Sequence, residues 1–581
     1  MGGDPFTLEI INNALTSIAE EMFYVFGRTA KSPVIYEVLD YAVGIMDEEG
    51  NMLAHANGVP GFIGVLDHAV KESVKELKEE LEDGDIIIVN VPHIAGTHLN
   101  DVVLIQPIFY KGELIGYSAN KGHWSEIGGM RFGSWTTDSI EIFQEGLQIP
   151  PIKLFKRGKP NRDIIEMIRS NSRLPDQTLG DMEAQVASLK IGVKRVIELI
   201  EKYGISIYRE ACRKAVEDSY RYVMLKLRSL PHGEFTAYDY IDDDGITDES
   251  LYVKVSVRIT DEEFYVDFTD SAPQAKGPIN SPLPGTIGAV RIVYTSIIDP
   301  HYPYMNYGFI KPLRVYAPEG TVFNPTKGAP VATFWEAMLY ASDLVWKALA
   351  PYISDRLPAG HFLTVGATIL GGRDKRTGES FAIVEPQPGG WGAASYRDGV
   401  NALVCVGDGE TYASSIEVLE RRYPVLVERY TLNIEGGSGH GKFRGGYGII
   451  KDYRVLTDEV FFTISFGRSK YPPWGVRKGS NGTPCKFIIR KRNGEEIIGR
   501  KIAAYVLSEG DVVSIRTGGG GGWGDPLERD PELVLNDVIN EYITIDEARE
   551  IYGVVIDKQT LKIDIEKTKE LREKLIRNKP K

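Results

Sequence analysis

The stretch GDIIIVNVPHIAGTHLNDVVLIQPIFYKGELIGYSANKGHW, Gly84 to Trp124, decides how the chain is read. Gly84 to Pro92 reads as a strand, and Val102 to Tyr110 and Glu113 to Trp124 are β-rich runs on either side of Lys111-Gly112, a turn-forming pair. The pattern predicts a hairpin. With a two-residue loop Asp101 lies across from Gly122, and with a three-residue loop it lies across from His123; either way the Cβ atoms fall within about 5 to 8 Å. His98 precedes Asp101 by one short step on the incoming loop. Two imidazoles and a carboxylate brought together in this way outline a metal site with vacant positions, suited to Zn, Mn or Fe(II). No thiolate is near: Cys212, Cys405 and Cys485 are far apart and without CxxC spacing, which argues against a closed structural zinc site and against a disulfide framework.

Outward from the hairpin, the spacing of apolar residues predicts a helix from Asp4 to about Ala30, capped by Asp4 with Pro5 in its first turn. Strands are expected at Tyr41 to Met46 and Met52 to His55, and helices at Leu66 to Glu80, Asp176 to Tyr203 and Tyr208 to Leu230. After Pro231 the character changes to strands broken by Pro and Gly, with glycine clusters at 388–393, 435–448 and 517–526. Helical spacing returns near the end, and Asp564 to Lys581 reads as a charged helix or a frayed end. The expected fold class is mixed α+β and multidomain: a helix-bearing metal unit over 1–230, a strand-rich Gly/Pro-laced unit over 231–525, and a helical tail over 526–581.

The 581 residues carry a net charge of -14, so no basic face for a phosphate backbone is expected and nucleic acid is disfavoured as a partner. No apolar run approaches the roughly 18 residues of a membrane span, and the N-terminus lacks a basic stretch followed by an apolar core; a cytoplasmic location is the expectation. The glycine clusters do not make a phosphate loop, because GHGKFRGG has neither the spacing nor the hydroxyl and TGGGGGWGD has no lysine. Tight turns and close backbone packing are their expected use. The acidic run Asp242 to Gly245 fails as a calcium loop, because Tyr240 occupies the first carboxylate position.

Asp40, at the head of a strand in the same unit, is either a fourth ligand or, like Glu37, a carboxylate that is solvated or paired with Arg28. His93 and Glu126 flank the set as candidates to hydrogen bond a ligand or to accept a proton from water.

Several motifs in order, RTAKSPVIYEVLD, GTHLNDVVLIQPIF, GHWSEIGG, EGLQIPPIKL, RLPDQTLGDMEAQ, DFTDSAPQAKGPIN and GGGGGWGDP, resemble the hydantoinase B family nearly end to end. That family includes the B subunits of N-methylhydantoinases, the matching half of ATP-dependent 5-oxoprolinases, caprolactamase-type lactamases and the alpha subunit of acetone carboxylases. The resemblance implies a cytosolic subunit of a hetero-oligomer, working with a hydantoinase A-type partner whose actin-like fold binds the ATP. It also implies manganese or zinc on His98, Asp101 and His123, and favours Asp40 as a further ligand. The implied activity is ATP-dependent opening of a small cyclic amide, with Glu126 or His93 as proton acceptor. The alternatives are a ketone carboxylase subunit or a noncatalytic scaffold for the ATPase. Asn90-Val91-Pro92-His93 replaces the Asn-Asp-Pro-Tyr of many relatives, and Glu126 stands where Asp is usual, which bears on substrate more than on metal.

Overall fold

In the computed structural model, residues 4–577 are described, save 76, 78 and 79. The hairpin forms, and it is the middle of a seven-stranded sheet. The strands are β1 (Tyr41–Asp47), β2 (Met52–His55), β3 (Ile86–Val89), β4 (Asp101–Tyr110), β5 (Glu113–His123), β6 (Ile152–Lys156) and β7 (Lys159–Pro160), in the order β2-β1-β5-β4-β3-β6-β7. The loop between β4 and β5 is the two-residue Lys111-Gly112, both at positive φ (52° and 83°), as a primed hairpin turn requires. Two residues alone would set Asp101 across from Gly122. Instead Ile108 pairs with Gly116 and Phe109 with Leu114, so Ile115 is a bulge, and the extra residue moves the register until Asp101 faces His123.

The sheet is buried on both faces, which is why β4 reads as a continuous apolar run. Val103 and Ile105 join a core with Leu66, Ala69 and Val70 of the helix Pro60–Lys75. Val102 and Leu104 join the other core with Leu179, Met182, Val186 and Leu189 of the helix Pro175–Tyr203. The first helix, Pro5–Thr29, is capped by the Asp4 carboxylate accepting from Phe6 and Thr7 amides and lies against the same side. The next long helix runs Ile205–Arg228. The helix expected at Leu66 to Glu80 begins six residues earlier, at Pro60, because Gly61 and Gly64 are tolerated where close neighbours leave no room for side chains. Residues 76, 78 and 79 of that expectation, and 578–581 of the tail, lie outside the described residues.

Three further sheets follow: Gly233–Ile241, Leu251–Ile259, Phe264–Asp267 and Leu313–Tyr316; then Thr368–Arg373, Ser380–Glu385, Val460–Ser465 and Lys501–Leu507; then Val425–Leu432, Ile449–Val455, Lys486–Arg490, Glu496–Gly499 and Val512–Arg516. Helices Leu283–Ile298 and Trp335–Leu349 are almost wholly apolar and buried beside them. One apolar core runs from Ile86 to Ile515, so the first two sequence units share it, while Val534, Ile543, Ala548 and Tyr552 form a small core near the end. The division at 230 and 525 is kept as a proposal about the sequence units.

The three glycine clusters meet and interleave. Gly390 donates its amide to Gly518, Gly446 to Trp391, and Gly520 to Gly446. A Cβ on Gly520 would stand 2.2 Å from the Trp391 carbonyl carbon, a contact that only backbone movement relieves. Asp243 of the acidic run is ion-paired with Arg500 and Lys501. The expected cost of Gly520→Ala is at least about 2 kcal/mol of overpacking strain; urea denaturation of the purified variant checks it, and an unchanged midpoint refutes the interlock.

Candidate metal centre

His98 reaches the site from a tight corner. The four-residue helix Pro92–Ala95 ends at Gly96 with φ 89°, and a Cβ there would meet Val65 at 2.9 Å. Lys121, buried on the same face of β5 as His123, donates to the Ala95 carbonyl at 2.7 Å and to the Thr97 hydroxyl, and sits over the Phe62 ring. Burial lowers its pKa to about 8, against the pull of Asp101 and Asp40. The corner is thereby pinned to the sheet, and one ligand atom each from His98, Asp101 and His123 falls within 4.8 Å of the others. Asp40 lines the same cavity; Leu39 before it adopts a φ of 64°, a left-handed conformation rare for leucine, and the Asp40 carbonyl accepts the His123 amide at 3.1 Å.

The hydrogen bonds of His98 bear on what fits there. Its Nδ1 donates to the Ala332 carbonyl at 3.0 Å, so in the neutral ring Nε2 carries a lone pair, and that lone pair meets Asp101 Oδ1 at 3.0 Å. A second ring proton or a cation relieves the contact. Asp101 Oδ2, His123 Nδ1 and Trp335 Nε1 are buried with no hydrogen-bond partner, and all three residues line the cavity. Two imidazoles, a carboxylate, orphaned donors and a nearby second carboxylate fit a divalent ion with open positions.

The electrostatics agree. Burial pushes the Asp101 carboxyl up, yet His98 and Lys121 outweigh it and leave the pKa at about 2. Burial, then Asp101 and Asp408, hold Asp40 well above the ordinary carboxylate range. Burial brings His123 down to about 4, so it is a neutral imidazole at pH 7, as a ligand must be.

Neither flanking candidate reaches the cavity. Both carboxylate oxygens of Glu126 are spent within its own loop, on the Gly128 and Gly133 amides and the Ser134 hydroxyl, and one also accepts from Arg173 at 3.0 Å. His93 is exposed on its short helix, its carbonyl facing His68. The structure supplies others from far along the chain: Phe334, Trp335, Glu385, Asp408 and Thr411 line the chamber opposite the sheet. Glu385 is saturated by Lys451, Tyr453 and the Ser414 amide. Asp408 is not so engaged; burial, then Asp101, raises it to about 7, with the Cys405 thiol as a hydrogen-bond partner. The Gly-Asp-Gly spelling at 407–409 was a legible loop signal, but nothing in the sequence placed it here.

A buried chamber whose donor set could hold a divalent ion, on a mixed helix-and-sheet scaffold, marks a class of multidomain α+β proteins with a candidate metal site. The chain belongs to the hydantoinase B/oxoprolinase family, whose family model matches residues 4–526. It is 32% identical to a putative D-/L-hydantoinase B subunit of Pseudomonas sp. strain NS671 over 98% of each chain. The crystal structure of the ATP-dependent caprolactamase of Pseudomonas jessenii superposes with a TM-score of 0.90 at 29% identity, covering 98% of this chain and 100% of that one. Acetone carboxylase in its nucleotide-free form shares the fold, with a TM-score of 0.91 at 21% identity over 99% of this chain and 83% of that one.

One carboxylate supports the site from behind. Glu145 accepts from the Val331 amide at 2.9 and 3.1 Å and from Ser139, fixing the segment whose Ala332 carbonyl orients His98. Burial pushes its pKa to about 8 from 4.5, so the folded state keeps a proton that the unfolded state loses as pH rises. Stability therefore falls across that window. Glu145→Gln is expected to flatten this fall, measured as urea midpoints at the two ends of the window; parallel curves for variant and wild type refute it.

Proposed function

We propose that this chain is the ring-opening subunit of an ATP-dependent amidohydrolase acting on small cyclic amides. The observation that carries it is the buried convergence of His98, Asp101 and His123 around unpartnered donors. Support for the substrate class comes from relatives named as hydantoinase and caprolactamase. Support for a partner comes from the naming of the Pseudomonas hydantoinase relative as one subunit and from the ATP dependence of the caprolactamase, set beside a sequence without a phosphate loop. A hydantoinase A-type ATPase is the proposed partner; it phosphorylates the amide oxygen, which weakens amide resonance and makes the carbon electrophilic.

His98, Asp101, His123 and Asp40 are the residues that hold a divalent ion, manganese or zinc. Such an ion supplies Lewis acidity, which brings water into the nucleophilic range near neutral pH. Asp408, facing the same chamber with a pKa of about 7, takes a proton as water adds to the carbon and returns it to the ring nitrogen as the C–N bond breaks. Trp335 Nε1–H is the free donor for an oxygen of the activated amide. The expelled nitrogen leaves an acyl phosphate, and a second water releases the phosphate. Phe334, Trp135 and Met338 exclude bulk solvent. Asp408 replaces Glu126 and His93 in this role, because neither of those lines the chamber.

Two variants test the reading. His98→Ala is expected to abolish stoichiometric metal, measured by elemental analysis of the purified protein, and retained stoichiometry sinks the centre. In the complex with its ATPase, Asp408→Asn is expected to keep its metal but lose kcat on a ring amide by about 10²- to 10⁴-fold, the usual contribution of a general acid–base; wild-type kcat refutes the role.

A further inference from the structure

The chamber is too small for the substrate it is proposed to open. Its free volume is about 60 Å³; a single water needs about 10–15 Å³ by that measure, so it holds a few waters and not a ring. A second cavity of about 490 Å³ lies directly beside it. The partition between them is one backbone thick. Val59, Gly61, Gly407 and Asp408 line the chamber, whereas their chain neighbours Gly58, Pro60, Gly409 and Glu410 line the second cavity. What closes the partition is slight: the Gly61 amide donates to the Gly407 carbonyl at 3.0 Å, and Gly409, at φ 49°, lies so close to the Pro60 ring that a Cβ there would stand 2.5 Å from Pro60 Cδ.

The walls of the second cavity suit a ring with an apolar edge. Ile63, Ile292, Met305 and Met52 supply carbon surface, with Asn57 and Thr295 among them. Arg291 is the cation on the wall, and Asp67, at 2.6 Å, together with the Gly64 carbonyl already neutralises and satisfies it. His55 has its Nδ1 on the Ala56 carbonyl, and burial lowers its pKa, so it is uncharged at neutral pH. Selection here is by size and apolar surface, with the Glu410 carboxylate the remaining charge on the wall, which disfavours an anionic ring.

We infer that this cavity is the antechamber of the metal centre, where a small cyclic amide binds before the Gly58–Gly61 and Gly407–Glu410 segments part to admit it. The ligand class rests on the proposed function; the route does not. Because Asp408 rides on the segment that moves, the same closure that seals the ring in also returns this carboxylate to the chamber.

The test needs neither metal nor turnover. In the full chain, Asp408→Cys places a thiol in the chamber, and its labelling by methyl methanethiosulfonate is followed by mass spectrometry, with the wild-type chain giving the background from its own buried cysteines. Filling the antechamber with Ile63→Trp, or with Thr295→Trp should the first variant fold poorly, is expected to slow labelling at least tenfold. Ala394→Trp, which fills the other cavity, beside Trp391 and on the far side of Ser296, is expected to leave it unchanged. Labelling that is absent without the tryptophans, that ignores Ile63→Trp and Thr295→Trp, or that is slowed by Ala394→Trp instead overturns the route. If the route holds while the complex opens no ring amide, the proposed function fails and the antechamber stands.

Discussion

The register of one hairpin governs the candidate metal centre. Side chains alternate faces along a strand, so a slip of one residue would turn every group on it to the opposite layer. With Ile115 bulged out, Asp101, Val103 and Ile105 on β4 share a face with Lys121 and His123 on β5, and that face looks toward the helix Pro60–Lys75 and the chamber. Without the bulge, His123 would no longer stand opposite Asp101 on that face. Both faces are tightly occupied, by Gln185 holding Asn120 and Trp124 on one side and by Lys121 over Phe62 on the other, so the alternative register would bury the lysine against an apolar layer. The cost of that misplacement is what enforces the arrangement of ligands.

A second constraint is the crowding of buried charge. Asp40, Asp101 and Asp408 face one small cavity; the Asp101 charge makes both of the others harder to ionise, and Asp408 adds to the effect on Asp40. Lys121 answers part of that charge, but its ammonium is committed to Ala95 and Thr97. A divalent cation is the natural complement, since it stabilises the ionised carboxylates and occupies the lone pairs that otherwise face each other at His98 and Asp101. The deprotonated state of one acid and the protonated state of another then become compatible in one chamber, which is the condition for acid–base work at neutral pH.

Much of this was legible in the sequence, and what was not has a physical reason. Periodicity located the helices Pro5–Thr29, Pro175–Tyr203 and Ile205–Arg228 to within a few residues but not Leu283–Ile298 or Trp335–Leu349, which are apolar nearly all round and show no polar face to mark them; the Lys111-Gly112 turn brought His98, Asp101 and His123 together, because hairpin geometry is local. The bulge at Ile115 was invisible, since nothing in ELIGY marks which residue steps out of the ladder. Glu126 and His93 were attractive for their nearness along the chain, but the first is consumed by its own loop and the second faces solvent. Asp408 and Trp335 were missed because they arrive through tertiary packing, hundreds of residues after the ligands they face.

That late arrival explains what the glycine weave accomplishes. The strand-like pairing of Gly389 with Leu403 and of Trp391 with Val400 fixes the segment that runs on to Cys405 and Asp408, and Trp391 Nε1 donates to the Val404 carbonyl at 2.8 Å. Gly390, Gly446 and Gly520 in turn hold residues 388–391 from behind, with backbones too close for any side chain. The last firmly woven point is thus a few residues before Asp408, and the chain is tied down again where the Tyr412 amide donates to the Val38 carbonyl at 3.0 Å and the Ser414 amide to the Lys451-paired Glu385. Between those anchors the Gly407–Glu410 loop has little beyond one backbone hydrogen bond and a proline ring to hold it against the neighbouring segment. A rigid frame gripping both ends of a short glycine-flanked loop leaves that loop the least constrained stretch beside the chamber, and Asp408 is the carboxylate it carries.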